Sequence, residues 1–202
     1  MGDCLLRRRK KDNIPYTTVD YIQFDGTSDS VFDTGISQSS SPGEEIEVTF
    51  DIGGATNQGV FQISGWKTRL HLCTETVNKA TIYETSKGSS NINFDKNYYG
   101  KHTFIGNKNS KLYFDDEEIS NFTAQSSTTN HYKVGVYYDN STHKYLSGKI
   151  YEWKIKKNTS NEYLQWLVPV QYNDSGAVKY GFYDKVSGTL IANEHWTGGY
   201  DA

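Results

Sequence analysis

The chain is expected to be all-β, two antiparallel sheets packed face to face behind an extended N-terminal arm, and three observations predict this. Short apolar stretches alternate with polar residues at period two. Gly, Asn, Asp and Ser clusters separate them at close spacing, as turns do. No segment carries an apolar stripe at helical spacing over three turns. Composition agrees: among 202 residues there are 16 Tyr, 18 Gly and only 3 Pro, a mix that suits strands joined by tight turns.

The elements follow in order. Residues 1–15 have no periodicity, end at Pro15 and read as an arm; residues 16–202 read as one domain. Tyr21–Phe24 runs into the turn dipeptide Asp25-Gly26, and Val31–Ile36 follows. Glu45–Ile52 alternates strictly, with Ile46, Val48, Phe50 and Ile52 on one face. Gly59–Ile63, Leu70–Cys73, Thr81–Tyr83, Ile92–Phe94 and His102–Ile105 are further short strands. Lys111–Phe114 and Glu118–Phe122 flank an acidic turn and form a hairpin. Tyr132–Tyr138 reads as one strand. Gly148–Ile155 alternates, with Ile150, Glu152 and Lys154 opposite Tyr151, Trp153 and Ile155. Leu164–Val170 is nearly continuous apolar and reads as a strand buried on both sides. Tyr180–Tyr183 and Thr189–Ile191 make the last hairpin. About a dozen short strands without a repeat or heptad run point to a sandwich or barrel.

A chain this long can bury a core without disulfide staples. Cys4 lies in a charged stretch and Cys73 in a strand-like run, which is weak support for a bridge and fits a reducing site of synthesis. Leu5 and Leu6 alone do not make the apolar core of a signal peptide, and no apolar run is long enough to span a bilayer. The formal charge is −3 but uneven: Arg7, Arg8, Arg9, Lys10 and Lys11 hold five of the 21 basic residues. From Asp12 onward 16 basic residues face 23 acidic ones (24 less Asp3), about −7. A basic arm on an acidic body suggests separate tasks for the two.

Two stretches carry a family resemblance. The first runs from Tyr21-Ile22 through Asp33-Thr34-Gly35-Ile36. The second joins Gly148-Lys149-Ile150-Tyr151, Leu167-Val168-Pro169-Val170 and Gly181-Phe182-Tyr183-Asp184-Lys185-Val186-Ser187-Gly188. In order and spacing, over roughly residues 19–199, they resemble concanavalin A-like (laminin-G-like) domains of tailed-phage structural proteins and of bacterial surface proteins. The closing Asp-Lys-Val-Ser-Gly motif is the more specific. Leu112–Ile119 is similar to the family's central hairpin, with Asp116 where Gly is usual. The resemblance implies a two-sheet jelly-roll sandwich and a virion structural protein, made in the bacterial host cytoplasm, that decorates the capsid or forms a head fibre. A tail fibre, a receptor-binding protein and a free carbohydrate-binding module are the alternatives. It also suggests a homo-oligomer, by analogy a trimer.

The chemistry favours binding over catalysis. Glucanases of this fold place carboxylates on one strand in Glu-x-Asp-x-Glu-like runs, and none occurs here. Glu45 and Glu47 share the polar face of their strand and read as solvated. Asp115, Asp116, Glu117 and Glu118 could hold Ca²⁺, although a solvated hairpin tip weighs more. His71, His102, His131, His143 and His195 lack metal-ligand spacing, so no metal or cofactor is expected. The remaining candidates are aromatic. Trp66, Tyr98, Tyr99, Tyr138 and Trp196 lie beside turns and are named as carbohydrate-stacking positions, each weighed against simple packing. Trp153 and Trp166 read as core. The arm could contact nucleic acid, dock into an acidic partner groove or be a solvated tail. Docking on other virion proteins, with Leu5 and Leu6 as apolar anchors beside Arg7–Lys11, is preferred, because an acidic body argues against nucleic acid.

Overall fold

A computed structural model describes residues 15–39, 43–53, 58–63, 72–76, 79–84, 88–93, 100–122, 127, 129–139 and 142–202. Ile63, residues 72–93 of that set, and residues 138, 139 and 142 are described by backbone alone. The strands are β1 Thr17–Thr18, β2 Tyr21–Asp25, β3 Phe32–Ser37, β4 Glu44–Asp51, β5 Gln58–Ile63, β6 Leu72–Thr76, β7 Lys79–Glu84 and β8 Gly88–Asn93. They continue with β9 His102–Lys108, β10 Lys111–Phe114, β11 Glu117–Asn121, β12 His131–Val134, β13 Val136–Asp139 and β14 Thr142–Tyr145. The last are β15 Ser147–Lys157, β16 Tyr163–Asp174, β17 Ala177–Asp184, β18 Thr189–Ala192 and β19 Thr197–Gly199. The only described helix is one 3₁₀ turn at Ser28–Ser30.

Eleven strands form the large sheet, in the order β11-β10-β9-β4-β15-β16-β17-β18, with β2 joined to β15 and β19, and β1 joined to β16. Six form the small sheet, β3-β12-β5-β6-β7-β8, and β13-β14 pair separately. All pairings are antiparallel. Alternation along β4 turns Ile46, Val48 and Phe50 into the space between the sheets. There they meet Val60 and Phe61 of β5 and Tyr132 and Val134 of β12. The Phe61 ring lies 5.5 Å from the ring of Trp153 and 5.8 Å from that of Phe104, which ties the small sheet to the centre of the large one.

Buried polar groups line the same gap, two pairs within a sheet and one across it. Trp153 Nε1 donates to Gln165 Oε1 at 3.0 Å, and Thr34 Oγ1 of β3 donates to the Tyr132 carbonyl at 2.9 Å. Glu44 is buried beside the Tyr132 hydroxyl, which donates to it at 3.4 Å. Burial and this carboxylate hold the Tyr132 phenol well above its ordinary pKa.

Three sequence expectations change. Tyr132–Tyr138 is two strands in different sheets, because Gly135 takes φ +85° and bends the chain. A Cβ there would sit 2.6 Å from the Phe24 ring. Next, β15 carries an irregularity between Ile150 and Glu152, with Tyr151 as the extra residue, so Ile150 joins Trp153 and Ile155 in the core. Finally, β16 is not buried on both faces: Trp166 and Val168 are half-buried and belong to the outer face of the large sheet.

The two ends of the described chain meet. Asp20 N donates to the Gly199 carbonyl at 2.8 Å, Asp201 N to the Asp20 carboxylate at 2.9 Å, and the Tyr200 hydroxyl to the Thr18 carbonyl at 3.2 Å. Residues 1–14, including the anchoring candidates Leu5 to Lys11, lie outside the described residues.

Gly135→Ala should destabilise the domain by on the order of 3 kcal/mol, since it adds left-handed strain to a clash with a buried ring. A urea titration comparing midpoints at equal slope measures this.

Candidate functional site

The strand register lines up one transverse row on the outer face of the large sheet. Tyr113 faces Ile105, Ile105 faces Glu47, Glu47 faces Lys154, and Lys154 faces Trp166. Lys185 completes the row, its N–H donating to the Trp166 carbonyl at 2.8 Å. The row behind it in register, Phe114, Phe104, Val48, Trp153 and Leu167, is core. This alternation is why Trp153 is inside and Trp166 outside.

The charges on this face are paired. Lys154 Nζ lies 2.8 Å from Glu47 and 2.7 Å from Glu152, and Lys156 Nζ lies 3.0 Å from Glu45. Burial opposes the charge of Lys154, and the Glu152 and Glu47 carboxylates outweigh it, so its pKa sits above the ordinary lysine value. Glu45 and Glu47 are therefore not the freely solvated pair expected: Glu45 is buried, and both are held by lysines of β15.

Trp166 is the centre of the aromatic part. Its Nε1 donates to Glu152 at 2.7 Å, the Lys185 ammonium lies 3.8 Å from the ring centroid, and the Tyr163 ring lies 5.0 Å away. The turn after β17 positions Lys185: the Asp184 carboxylate accepts from Trp166 N, Val186 N and Ser187 Oγ, and Gly188 closes it at φ +75°. A glycine takes that positive φ without a Cβ penalty. Farther along, Tyr183 packs at 5.8 Å from Tyr16, which is 6.4 Å from Tyr172.

A second cluster lies on β15 and β2. The Lys149 ammonium sits 3.9 Å over the Tyr21 ring and 3.0 Å from Asp201, and that of Lys101 sits 4.1 Å over Tyr151. The Tyr151 hydroxyl donates to Asp201 at 3.2 Å. The bond from Lys149 lowers the Asp201 pKa, and the same contact raises that of Lys149. Burial pushes the Tyr151 phenol up to about 12, with Asp201 adding to the rise and Lys149 opposing it.

The sequence candidates fare differently. Trp66, Tyr98 and Tyr99 lie outside the described residues, and Tyr138 is placed on β13 by its backbone alone, opposite His143. Trp196 is corrected: it is 4% exposed, donates Nε1 to the Ser30 carbonyl at 2.8 Å, and packs among Phe24, Phe32 and Phe182. It has no face to offer a sugar. Trp166, read as core, is half-buried on the outer face, unlike the buried Trp153 and Trp196, and its signal was the cross-strand company of Lys154 and Lys185. The acidic hairpin has both Asp115 and Asp116 at positive φ, the geometry of a two-residue I′ turn. The Asp115 carboxylate bonds His102 Nδ1 at 2.7 Å and Thr103 N at 2.8 Å, and Glu118 pairs with Lys111 at 2.6 Å. Among the described residues no cluster of His, Cys, Asp or Glu is arranged to hold a metal, and no helix is long and apolar enough to cross a membrane.

Comparison with solved structures finds the mouse laminin alpha1 chain, domains LG4-5, at a TM-score of 0.53 and 14% identity, over 73% of this chain. The fold is a laminin-G-like jelly roll. This chain spans 43% of the length of that one. No family model matches the sequence, and no curated protein does.

Trp196→Ala should cost about 3–5 kcal/mol, as emptying a packed aromatic site does. A thermal or urea melt checks it. A second expectation concerns alkali. The folded state keeps the Tyr151 proton to about pH 12, whereas an unfolded tyrosine releases it near 10. The folded state thus holds the extra proton across that window, and its stability falls as pH rises through it. Phenolate absorbance should show a late-titrating tyrosine near pH 12 that disappears in Tyr151→Phe.

Proposed function

We propose that this protein is a non-enzymatic binding domain that uses the outer face of its large sheet, centred on Trp166, to hold glycans. The observation that carries this reading is the placement of Trp166. A half-buried indole on an open sheet face stands beside Tyr163, with carboxylate and ammonium groups within hydrogen-bonding reach of one another. Sugar recognition needs that pairing of an aromatic surface with polar groups for hydroxyls. The jelly-roll fold supports a binding role of this kind.

The same face argues for binding over hydrolysis. Glycoside hydrolysis needs two carboxylates with substrate or water between them. Here the Lys154 ammonium fills the gap between Glu47 and Glu152.

The setting we propose is a phage particle, where the protein serves as a capsid-decorating protein or head fibre, assembled as a homo-oligomer, with a trimer as the working number. Leu5 to Lys11 would dock on an acidic groove of another virion protein. The family resemblance and the contrast between the basic arm and the acidic body support this setting. Tail-fibre service is the alternative within the same resemblance.

Two experiments test these readings. On an immobilised glycan panel the full chain should bind, and Trp166→Ala should lose about tenfold or more in affinity, a difference of roughly 1.4 kcal/mol, with its melting curve unchanged. Retention by Trp166→Ala with loss in Trp66→Ala or Tyr99→Ala would move the site to the loops. Removal of residues 1–15 should abolish co-purification with assembled particles while leaving glycan binding intact; normal incorporation would end the anchoring role.

A further inference from the structure

We infer that the ligand of the Trp166 face is an extended, uncharged glycan that lies across the strands from Trp166 to Tyr113 and is gripped along its length instead of at one end. This rests on the glycan reading above and narrows it.

The register supplies the track. Trp166 on β16 and Tyr113 on β10 stand in one transverse row, separated by β15, β4 and β9. At roughly 4.8 Å between neighbouring strands, four steps place the two rings about 19 Å apart. That span accommodates several linked sugar rings, and a single sugar cannot touch both ends. Each end has the same construction. Lys185 Nζ lies 3.8 Å from the Trp166 ring centroid, and Lys108 Nζ lies 5.6 Å from that of Tyr113.

Apart from Ile105, which lies next to Tyr113 in the row, the surface between the rings is polar and internally neutralised. Glu47 and Glu152 share Lys154, and Glu45 takes Lys156. Thr49 and Thr103 lie on the same face with their hydroxyls 3.0 Å apart. Counting Lys108 and Lys185, three carboxylates meet four ammonium groups, nearly balanced and spread along the track. A polyanion would find no concentrated positive field there, and a polycation no negative one. Hydroxyls suit such a surface, because each can accept from a lysine and donate to a carboxylate without disturbing the balance of charge.

The test uses the full chain with cellohexaose, xylohexaose and chitohexaose, their disaccharides, and a hyaluronan hexasaccharide as the anionic arm, measured by calorimetry. At least one neutral hexasaccharide should bind about tenfold or more tighter than its disaccharide. Tyr113→Ala should erase that advantage and leave the disaccharide affinity as it was, whereas Trp166→Ala should weaken both. The neutral interaction should change little between low and physiological salt. Equal affinities for hexasaccharide and disaccharide, an unaffected Tyr113→Ala, or preference for hyaluronan would each overturn the track while sparing the glycan reading. Silence from every sugar would sink the glycan reading itself and the track with it. Unchanged melts of both variants confirm that the comparison concerns the surface and not folding.

Discussion

The contact of Phe61 with Trp153 and Phe104 is the constraint on which the rest of the architecture rests. It joins the middle of the small sheet to the middle of the large one, and it decides which edge of every neighbouring strand points inward. With Trp153 inside, Lys154 and Glu152 must point out, since side chains alternate along a strand. The Trp153 indole then requires a buried acceptor, which Gln165 provides, and Gln165 in turn reaches the Thr34 carbonyl on the opposite sheet at 3.4 Å. One large aromatic residue thus sets the side-chain direction on β15 and orders polar groups on both layers. A buried polar chain of this kind tolerates few alternative registers, because each would orphan a donor.

The outer face is organised by a different economy. Its lysines and glutamates sit on neighbouring strands and neutralise one another, so a broad sheet surface remains ordered without an apolar cover. Individually such pairs contribute little to stability. Their joint effect is positional: Glu152 is held by Lys154 and can therefore hold the Trp166 indole, while the Asp184 turn places Lys185 over its ring. The side chains are arranged before any ligand arrives, which lowers the ordering cost of binding.

Much of the fold was legible because alternation is a local signal. Ile46, Val48 and Phe50 announce a one-sided strand, and the turn at Asp184–Gly188 announces its own geometry. The failures share a cause in being non-local or aperiodic. An extra residue such as Tyr151 leaves no mark in a pattern of period two, so Ile150 was assigned to the wrong face. Gly135 inside an alternating run looks like a weak strand position, and only the Phe24 ring packed against it shows why the chain must turn. Trp166 and Trp196 were exchanged for the same reason. An apolar run around Trp166 does not say which of its members look outward, and a loop beside Trp196 does not say that its indole reaches back to Ser30. Cross-strand partners decide such cases, and they are distant in sequence.

The meeting of the chain ends has a mechanical consequence. Asp20 is bonded to Gly199 and Asp201, and Thr18 to Tyr200, so tension applied between residue 16 and residue 202 would load the handful of hydrogen bonds that join the two chain ends. Such a pull would peel β1 and β19 first and reach the Phe61–Trp153 contact last. Segments joined at residue 16 and at residue 202 therefore share the load of the same few bonds.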